Sequence, residues 1–204
     1  MAWFPLAQYG DSSGRSIGTA LWPGSLPIPS MCSMTVDINS LDIRYYPDPC
    51  LRARTKEVDP GDPGVMAVAE RMIELMFQSN GAGLAAPQVG IPWRLFVTRD
   101  PEHEDDGLIW MNPIITPLES EPVGDIEGCL SLPEIEVEMV RPSRVRISAM
   151  ETDGTRFEVE SEILARVWQH EMDHLEGVLI IDRMTTMERI KNRKLLKALK
   201  KSYT

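Results

Sequence analysis

A chain of 204 residues, 43% hydrophobic and 25% charged, is long enough for one globular domain and too short for two comfortable ones, and its core needs no disulfide staples. The formal net charge of −10 argues against non-specific nucleic-acid binding, which needs a basic surface, and reads as a solubility device. No stretch approaches the roughly 18 apolar residues that span a bilayer, and the three cysteines, Cys32, Cys50 and Cys129, show no staple spacing, so a reducing, cytoplasmic setting is expected.

Residues 1–33 set Pro5, Pro23, Pro27 and Pro29 among Gly and Ser, with Arg15 their one basic residue. The segment lacks the basic start and apolar run of a signal peptide and the arginine content of a transit peptide. It reads as a disordered extension ahead of a single domain over 34–204, with Met31 and Met34 as alternative starts. Residues 37–58, with Pro47 and Pro49, read as irregular chain, and the Asp, Pro and Gly run over 59–64 reads as a turn. Val65, Val68, Met72, Ile73 and Met76 recur at spacings of three and four, which predicts a helix whose methionines fill core. That helix should stop near Asn80-Gly81, with glycine in the left-handed cap. Small residues over 81–86 allow close backbone approach. Leu95-Phe96-Val97 predicts a buried strand, residues 101–107 a solvated acidic loop, and residues 109–115 a strand broken or edged by Pro113. Strand patterns follow at 137–139 and 144–149, and Asp153-Gly154 predicts a hairpin into Phe157 and Val159. A second helix is predicted from Ser161 or Glu162 to Glu176-Gly177, with Ile163, Val167, His170 and His174 on one face. A short strand at 178–181 and a lysine-rich third helix from Thr185, carrying Ile190, Leu195, Leu196 and Leu199, complete the pattern. Grouped strands and segregated helices make the class α+β: short antiparallel strands packed around a central helix, plus a C-terminal helix.

That central helix carries His170-Glu171-Met172-Asp173-His174, an H-E-x-x-H pattern. Residues four apart lie on one helix face, so both imidazoles can reach one metal ion. Glu171 lies about 100° round the helix and can reach a water beside that ion. A catalytic metal takes three protein ligands and keeps one position open. The extended motif with a later histidine fails here, because Ile180 stands at its last position. Glu188 is a possible downstream ligand, but it opens a charged helix and should face water. Cys129, within Glu127-Gly128-Cys129-Leu130-Ser131, is the upstream candidate: Gly128 permits an unusual backbone path, and a thiolate suits zinc or ferrous iron. The residues alone leave three readings: a hydrolase with Cys129 as ligand, a peptidase with another third ligand, and a metal-stabilised binding module. Glu171 argues against the last, since a closed structural site needs no base.

Three blocks, residues 81–88 (Gly-Ala-Gly-Leu-Ala-Ala-Pro-Gln), 127–131 (Glu-Gly-Cys-Leu-Ser) and 169–174 (Gln-His-Glu-Met-Asp-His), resemble in order the G-x-G-L-A-A-x-Q, E-G-C-L-S and Q-H-E-x-D-H motifs of peptide deformylases. The likeness runs over about residues 43–184 and is to the type 1 enzymes of bacteria and plant organelles. It implies one divalent ion on Cys129, His170 and His174, ferrous iron first, with zinc, nickel or cobalt as alternatives. It implies hydrolysis of the formyl group from N-formyl-methionyl nascent chains with release of formate. Glu171 would accept a proton from water, while Gln88 and the Leu130 N–H stabilise the oxyanion. It further implies a Glu127–Arg141 ion pair behind the cysteine loop, and Gly83 and Leu84 offering backbone groups to an extended substrate. Ile163 and Val167 are candidates to line a pocket for the substrate methionine, with core packing as the alternative. Such a substrate would place the protein by the ribosome near the exit tunnel, with no membrane association and no direct nucleic-acid recognition. The chain departs from many bacterial relatives at Glu136, where they carry a substrate-holding arginine; Cys32, Cys50 and His103 lie outside the pattern.

Overall fold

The computed structural model describes residues 36–202, so the expectations for residues 1–33 lie outside the described residues. Two short 3-10 turns, Ile38–Ser40 and Pro49–Arg52, lead to helix α1, Pro63–Gln78. Strands β1 (Gly83–Ala85), β2 (Leu95–Arg99) and β3 (Gly107–Pro117) follow, then the β4–β5 hairpin (Pro122–Cys129, Leu132–Pro142) and strands β6 (Val145–Met150) and β7 (Arg156–Ser161). Helices α2 (Ala165–Leu175), α3 (Thr186–Lys191) and α4 (Arg193–Ser202) end the described chain. Five strands form an antiparallel sheet in the order β1-β2-β3-β6-β7, and β4-β5 pair separately. The class is α+β as expected, although β3 and β5 run well beyond the short strands read from the sequence and β4 lies where the sequence pattern predicts no strand. Among the described residues no helix is long and apolar enough to cross a membrane.

The sheet is buried on both faces around β2, which explains its unbroken Leu-Phe-Val run. Leu95 and Val97 face α1, where they meet Leu84, Met72 and Met76; Phe96 faces α2 with Trp110, Ile147 and Trp168. Each such side chain, removed from water, contributes about 1.5–3 kcal/mol. Trp168 is fully buried and its ring meets Trp110 edge-on at 4.8 Å between centroids, so α2 is anchored to the sheet by an aromatic contact just ahead of His170. A third cluster joins Leu132, Ile135, Val137 and Met139 of the hairpin to Leu179–Ile181 and to the leucines of α4.

Several local expectations are corrected. Helix α1 starts as its turn chemistry dictates, with Asp62 accepting from the Gly64 N–H at 2.8 Å and Pro63 in the first turn. At its other end Asn80, not Gly81, takes the left-handed conformation (φ 53°), which asparagine tolerates better than most residues. Strand β3 passes Pro113 through a bulge: Asn112 (φ 49°) turns its amide to Val58, accepting from its N–H at 2.8 Å and donating to its carbonyl at 2.9 Å. The second helix begins at Ala165, not Ser161, because β7 continues to Ser161 and the Ser161 hydroxyl then accepts the Leu164 N–H at 3.0 Å in a turn. Residues 180–182 form a 3-10 turn rather than a strand, held by Asp182, which accepts the Leu179 N–H at 2.8 Å. The third helix is two helices divided at Asn192.

Candidate active site

Helix α2 presents His170 and His174 on one side, and the end of β4 presents Cys129 to them. The register shifts between Gly128 and Cys129, and this irregularity at the hairpin's tip aims the thiol. Gly128 itself does not adopt a positive φ, and a Cβ there would meet only the Ile135 carbonyl at 4.0 Å, so the bulge, not glycine's freedom, supplies the unusual path. Cys129, His170 and His174 each offer a ligand atom, all within 4.8 Å of one another. Cys129 Sγ lies 3.2 Å from His174 Nε2, and the two imidazoles stand 5.1 Å apart between centroids.

Glu127 is the hub behind this triad. Its carboxylate accepts from Arg141 Nε at 2.6 Å and a second Arg141 nitrogen at 2.8 Å, from Arg166 at 2.8 Å, and faces His170 Nδ1 at 3.1 Å. Burial alone would raise the Glu127 carboxyl, but the hydrogen bonds from Arg141 and then His170 hold it well below the usual carboxylate range. Asp173 extends the cluster, accepting from Arg141 at 3.0 Å and Arg183 at 2.7 Å. With His170 Nδ1 turned to Glu127, its Nε2 is directed at the cluster's centre. His174 Nδ1 is buried with no hydrogen-bond partner among the described residues.

Gln88 is fixed by its own turn. Its Oε1 accepts the Ala85 N–H at 2.8 Å, which leaves Nε2 pointing at the Ser131 hydroxyl (3.2 Å) and Cys129 Sγ (3.6 Å). Glu171 is 4% exposed, and its Oε2 has no partner among the described residues. Burial pushes its carboxyl up to about 7. Gly83 lies against it so closely that a Cβ on Gly83 would sit 2.5 Å from Glu171 Oε1. A cleft of about 380 Å³ joins these groups, with Gly83, Gln88, Cys129, Leu130, Val167 and Glu171 in its walls.

The donor set fits a divalent metal. Two imidazole nitrogens and a thiolate round a tetrahedral ion stand roughly 3.3–3.6 Å apart, and the ligand atoms here span 3.2 to 4.8 Å. Burial would lower the His170 pKa, yet Cys129 and Glu127 hold it well above its ordinary value, while burial and then His170 hold His174 well below its own.

The structure places the remaining candidates less uniformly. Val167 lines the cleft, but Ile163 does not: it precedes α2 and is 77% exposed, because the apolar spacing that seemed to continue the histidine face runs into a loop. Leu84 has its side chain fully buried in the core, so only its backbone remains for a substrate. Glu188 caps α3 with its carboxylate, which accepts the Thr185 and Glu138 N–H groups, and it is absent from the ligand cluster. Arg166, which sequence reasoning missed, and Gln169, quoted there only within its motif and without a role, complete the frame. Arg166 bridges α2 to Glu127 and to the Val123 and Met139 carbonyls; Gln169 donates to the Pro142 carbonyl at 3.0 Å. A charge amid the apolar opening of α2 was the one signal for Arg166. Cys50 is half-buried among hairpin residues, with its thiol pushed up to about 12 by burial and then by Asp48.

Comparison with known proteins adds to this geometry. A family model described as polypeptide deformylase matches residues 40–190. The chain is similar to peptide deformylase 1B, chloroplastic/mitochondrial, of Arabidopsis thaliana, being 42% identical over 166 residues that make up 80% of this chain and 61% of that protein. It thus spans about three-fifths of the length of the plant relatives it matches. It is also 45% identical over 155 residues to a Thermotoga maritima peptide deformylase, 76% of this chain and 93% of the other. Among solved structures, a Plasmodium falciparum peptide deformylase superposes with a TM-score of 0.74 at 39% identity, covering 79% of this chain and 96% of that one.

Proposed function

The chain belongs to the polypeptide deformylase family, and from that premise we propose that it hydrolyses the N-terminal formyl group of N-formyl-methionyl nascent polypeptides, releasing formate and a free amino terminus. The observation that carries the reading is the meeting of Cys129, His170, Glu171 and Gln88 in one cleft, with His174 joining Cys129 and His170 in the ligand cluster.

When bound, a divalent ion on Cys129, His170 and His174 supplies a Lewis acid and brings the pKa of water towards neutrality. Glu171 accepts the proton of the attacking water and passes it to the leaving amine as the C–N bond breaks. Its buried Oε2, with no hydrogen-bond partner among the described residues, is free for both transfers. Gln88 Nε2, oriented by the Ala85 N–H, and the Leu130 N–H donate to the oxyanion. Glu127 keeps the His170 ring in one orientation, and Arg141 keeps Glu127 charged. Edge strand β1 borders the cleft at Gly83, which supports pairing of an extended substrate with the Gly83 and Leu84 backbone, while Val167 meets the methionine side chain. Ferrous iron is our first choice for the ion, with zinc, nickel and cobalt as the alternatives that metal analysis distinguishes; the mixed thiolate and imidazole donors support this set. The same proposal puts the reaction in the cytoplasm, on chains emerging from the ribosome near its exit tunnel. It also assigns catalysis to a single domain over 34–204, with 1–33 as an appended segment.

The test is to measure metal content and formate release on one preparation of Glu171→Gln beside the wild type. The wild type should release formate from an N-formyl-methionyl peptide. The variant should keep its ion while turnover falls about 10²-fold or more. Full metal with near wild-type formate release would remove Glu171 from the mechanism, and an inactive wild type with full metal would remove the deformylation reading.

A further inference from the structure

The cleft wall opposite the cysteine loop is the segment 80–83, which turns out of α1 and enters β1. Asn80, Gly81, Ala82 and Gly83 bring little side chain to hold themselves in place, and glycine backbone has the most freedom to lose on ordering. Regular pairing reaches this segment at one rung, Gly83 opposite Thr98. Beyond that rung the end of α1 takes the Asn80 and Gly81 N–H groups, on the Phe77 carbonyl at 3.0 Å and the Met76 carbonyl at 2.9 Å, and one residue takes the segment's acceptors. Arg99, the last residue of β2, donates its backbone N–H to the Ala82 carbonyl at 3.0 Å. Its Nε donates to the Gly81 carbonyl at 2.7 Å, and a terminal nitrogen donates to Asn80 Oδ1 at 3.1 Å. The guanidinium in turn lies 4.7 Å above the Phe77 ring centroid, which limits its own movement. On the inner side the segment has no slack: a Cβ on Gly81 would come within 2.7 Å of Leu130 Cδ1, just as Gly83 abuts Glu171. The lip is therefore held between Arg99 outside and Leu130 and Glu171 inside.

We propose that Arg99 is a positioning residue that pre-sets this lip for an extended substrate. The inference rests on the deformylation reading, because that reading gives the lip a peptide to bind. Ordering the segment before substrate arrives removes that cost from the binding step. Loss of the clamp should therefore appear mainly in KM. The reacting groups stand on α2, β4 and the 3-10 turn at Ala86–Val89, so kcat should move little.

The experiment compares metal-loaded wild type with Arg99→Met, Arg99→Lys and Asn80→Gly. An N-formyl-methionyl tripeptide serves as substrate, and amide exchange over 80–83 is followed in parallel. Arg99→Met should raise KM about tenfold, the scale of one charge-assisted hydrogen bond expressed in binding. Its kcat should stay within about twofold and its metal content should not change. Arg99→Lys keeps a cation over Phe77 but cannot bridge both acceptors, so it should recover part of the loss. Asn80→Gly suits the left-handed backbone, deletes one acceptor only, and should raise KM less. Exchange over 80–83 should quicken in the same order. It reads the clamp without turnover, so an inactive wild type would count against deformylation while exchange still decides the role of Arg99. A folded Arg99→Met with unchanged KM, a fall in kcat alone, or unchanged exchange would overturn the proposal. If Arg99→Met does not fold, wild-type KM and exchange in both other variants would do the same.

Discussion

Glu127→Gln removes one negative charge from the centre of the site's buried network and leaves the side chain's shape nearly unchanged. The side chains of Glu127 and Arg141 are only 5% and 6% exposed, so neither charge has water to fall back on. Removing one partner of a buried pair costs about 3–5 kcal/mol. Arg141 keeps Asp173 at 3.0 Å and Arg166 keeps two backbone carbonyls, so the loss should sit near the lower limit, about 3 kcal/mol. With a urea m-value of roughly 2 kcal/mol/M, the unfolding midpoint should fall by about 1.5 M. Urea titration of the metal-free protein at pH 7, read by the buried tryptophans Trp110 and Trp168, measures it directly. The pH dependence has a definite sign. The folded carboxyl of Glu127 is depressed, so its stabilisation is fully present above the unfolded value near about 4.3 and is lost as pH falls through the folded one. The gap between wild type and variant should therefore hold from pH 7 to pH 5 and narrow in stronger acid. Metal affinity should also drop by about 10- to 100-fold, because the His170 ring loses the carboxylate that orients it. A midpoint within 0.3 M (roughly 0.6 kcal/mol) of wild type at pH 7, with unchanged metal affinity, would show that Glu127 is not the hub.

Cys129→Ala should leave two ligands for the ion and lose both metal and formate release; stoichiometric metal in that variant would refute the ligand set. Gly83→Ala should keep metal but lower kcat about 10²-fold, since the new methyl would have to displace the Glu171 carboxylate from 2.5 Å; wild-type kcat would show that this contact does not position the base. Asp182 accepts from Arg52 at 2.9 Å and from the Leu179 N–H; burial would raise its carboxyl, but these partners lower it. Its contribution is fully present above the ordinary aspartate range and is lost as pH falls through the lowered folded value, so Asp182→Asn should melt earlier than wild type at pH 7 and by a smaller margin at pH 3. Equal offsets at both pH values would remove Asp182 as an acid-sensitive tie.

The site was more legible than the frame that holds it. His170, Glu171 and His174 lie within one helical turn or so, where spacing alone sets direction, and Cys129 followed from the missing ligand. Arg166, Gln169 and the Asp173–Arg183 link act across tens of residues or between elements whose relative placement no local pattern encodes. Periodicity also overreached. It carried the histidine face back to Ile163, although β7 still had two residues to run past Val159 and a turn to make before α2 began. The apolar run at 178–181 read as a strand because it is buried, yet one carboxylate, that of Asp182, winds its end into a 3-10 turn. Asn112 and Pro113 looked like a break in β3, and only the distant Val58 backbone turns that break into a bulge with every partner satisfied.

The β4–β5 hairpin leaves the sheet and returns to the same place: Pro117 of β3 stands opposite Val145 of β6, and the Leu118 N–H bonds to the Arg144 carbonyl across the neck. The five-stranded sheet can close its register with this excursion still swinging free, because none of its rungs passes through residues 122–142. Yet the excursion carries Cys129, while the histidines ride on α2, packed against the sheet. Docking of the hairpin is then a separate event from sheet closure, and a metal ion cross-linking the two would act as a rivet driven last. Stripping the ion should weaken that joint first, leaving the Arg166 and Gln169 bonds from α2 to the hairpin to hold it.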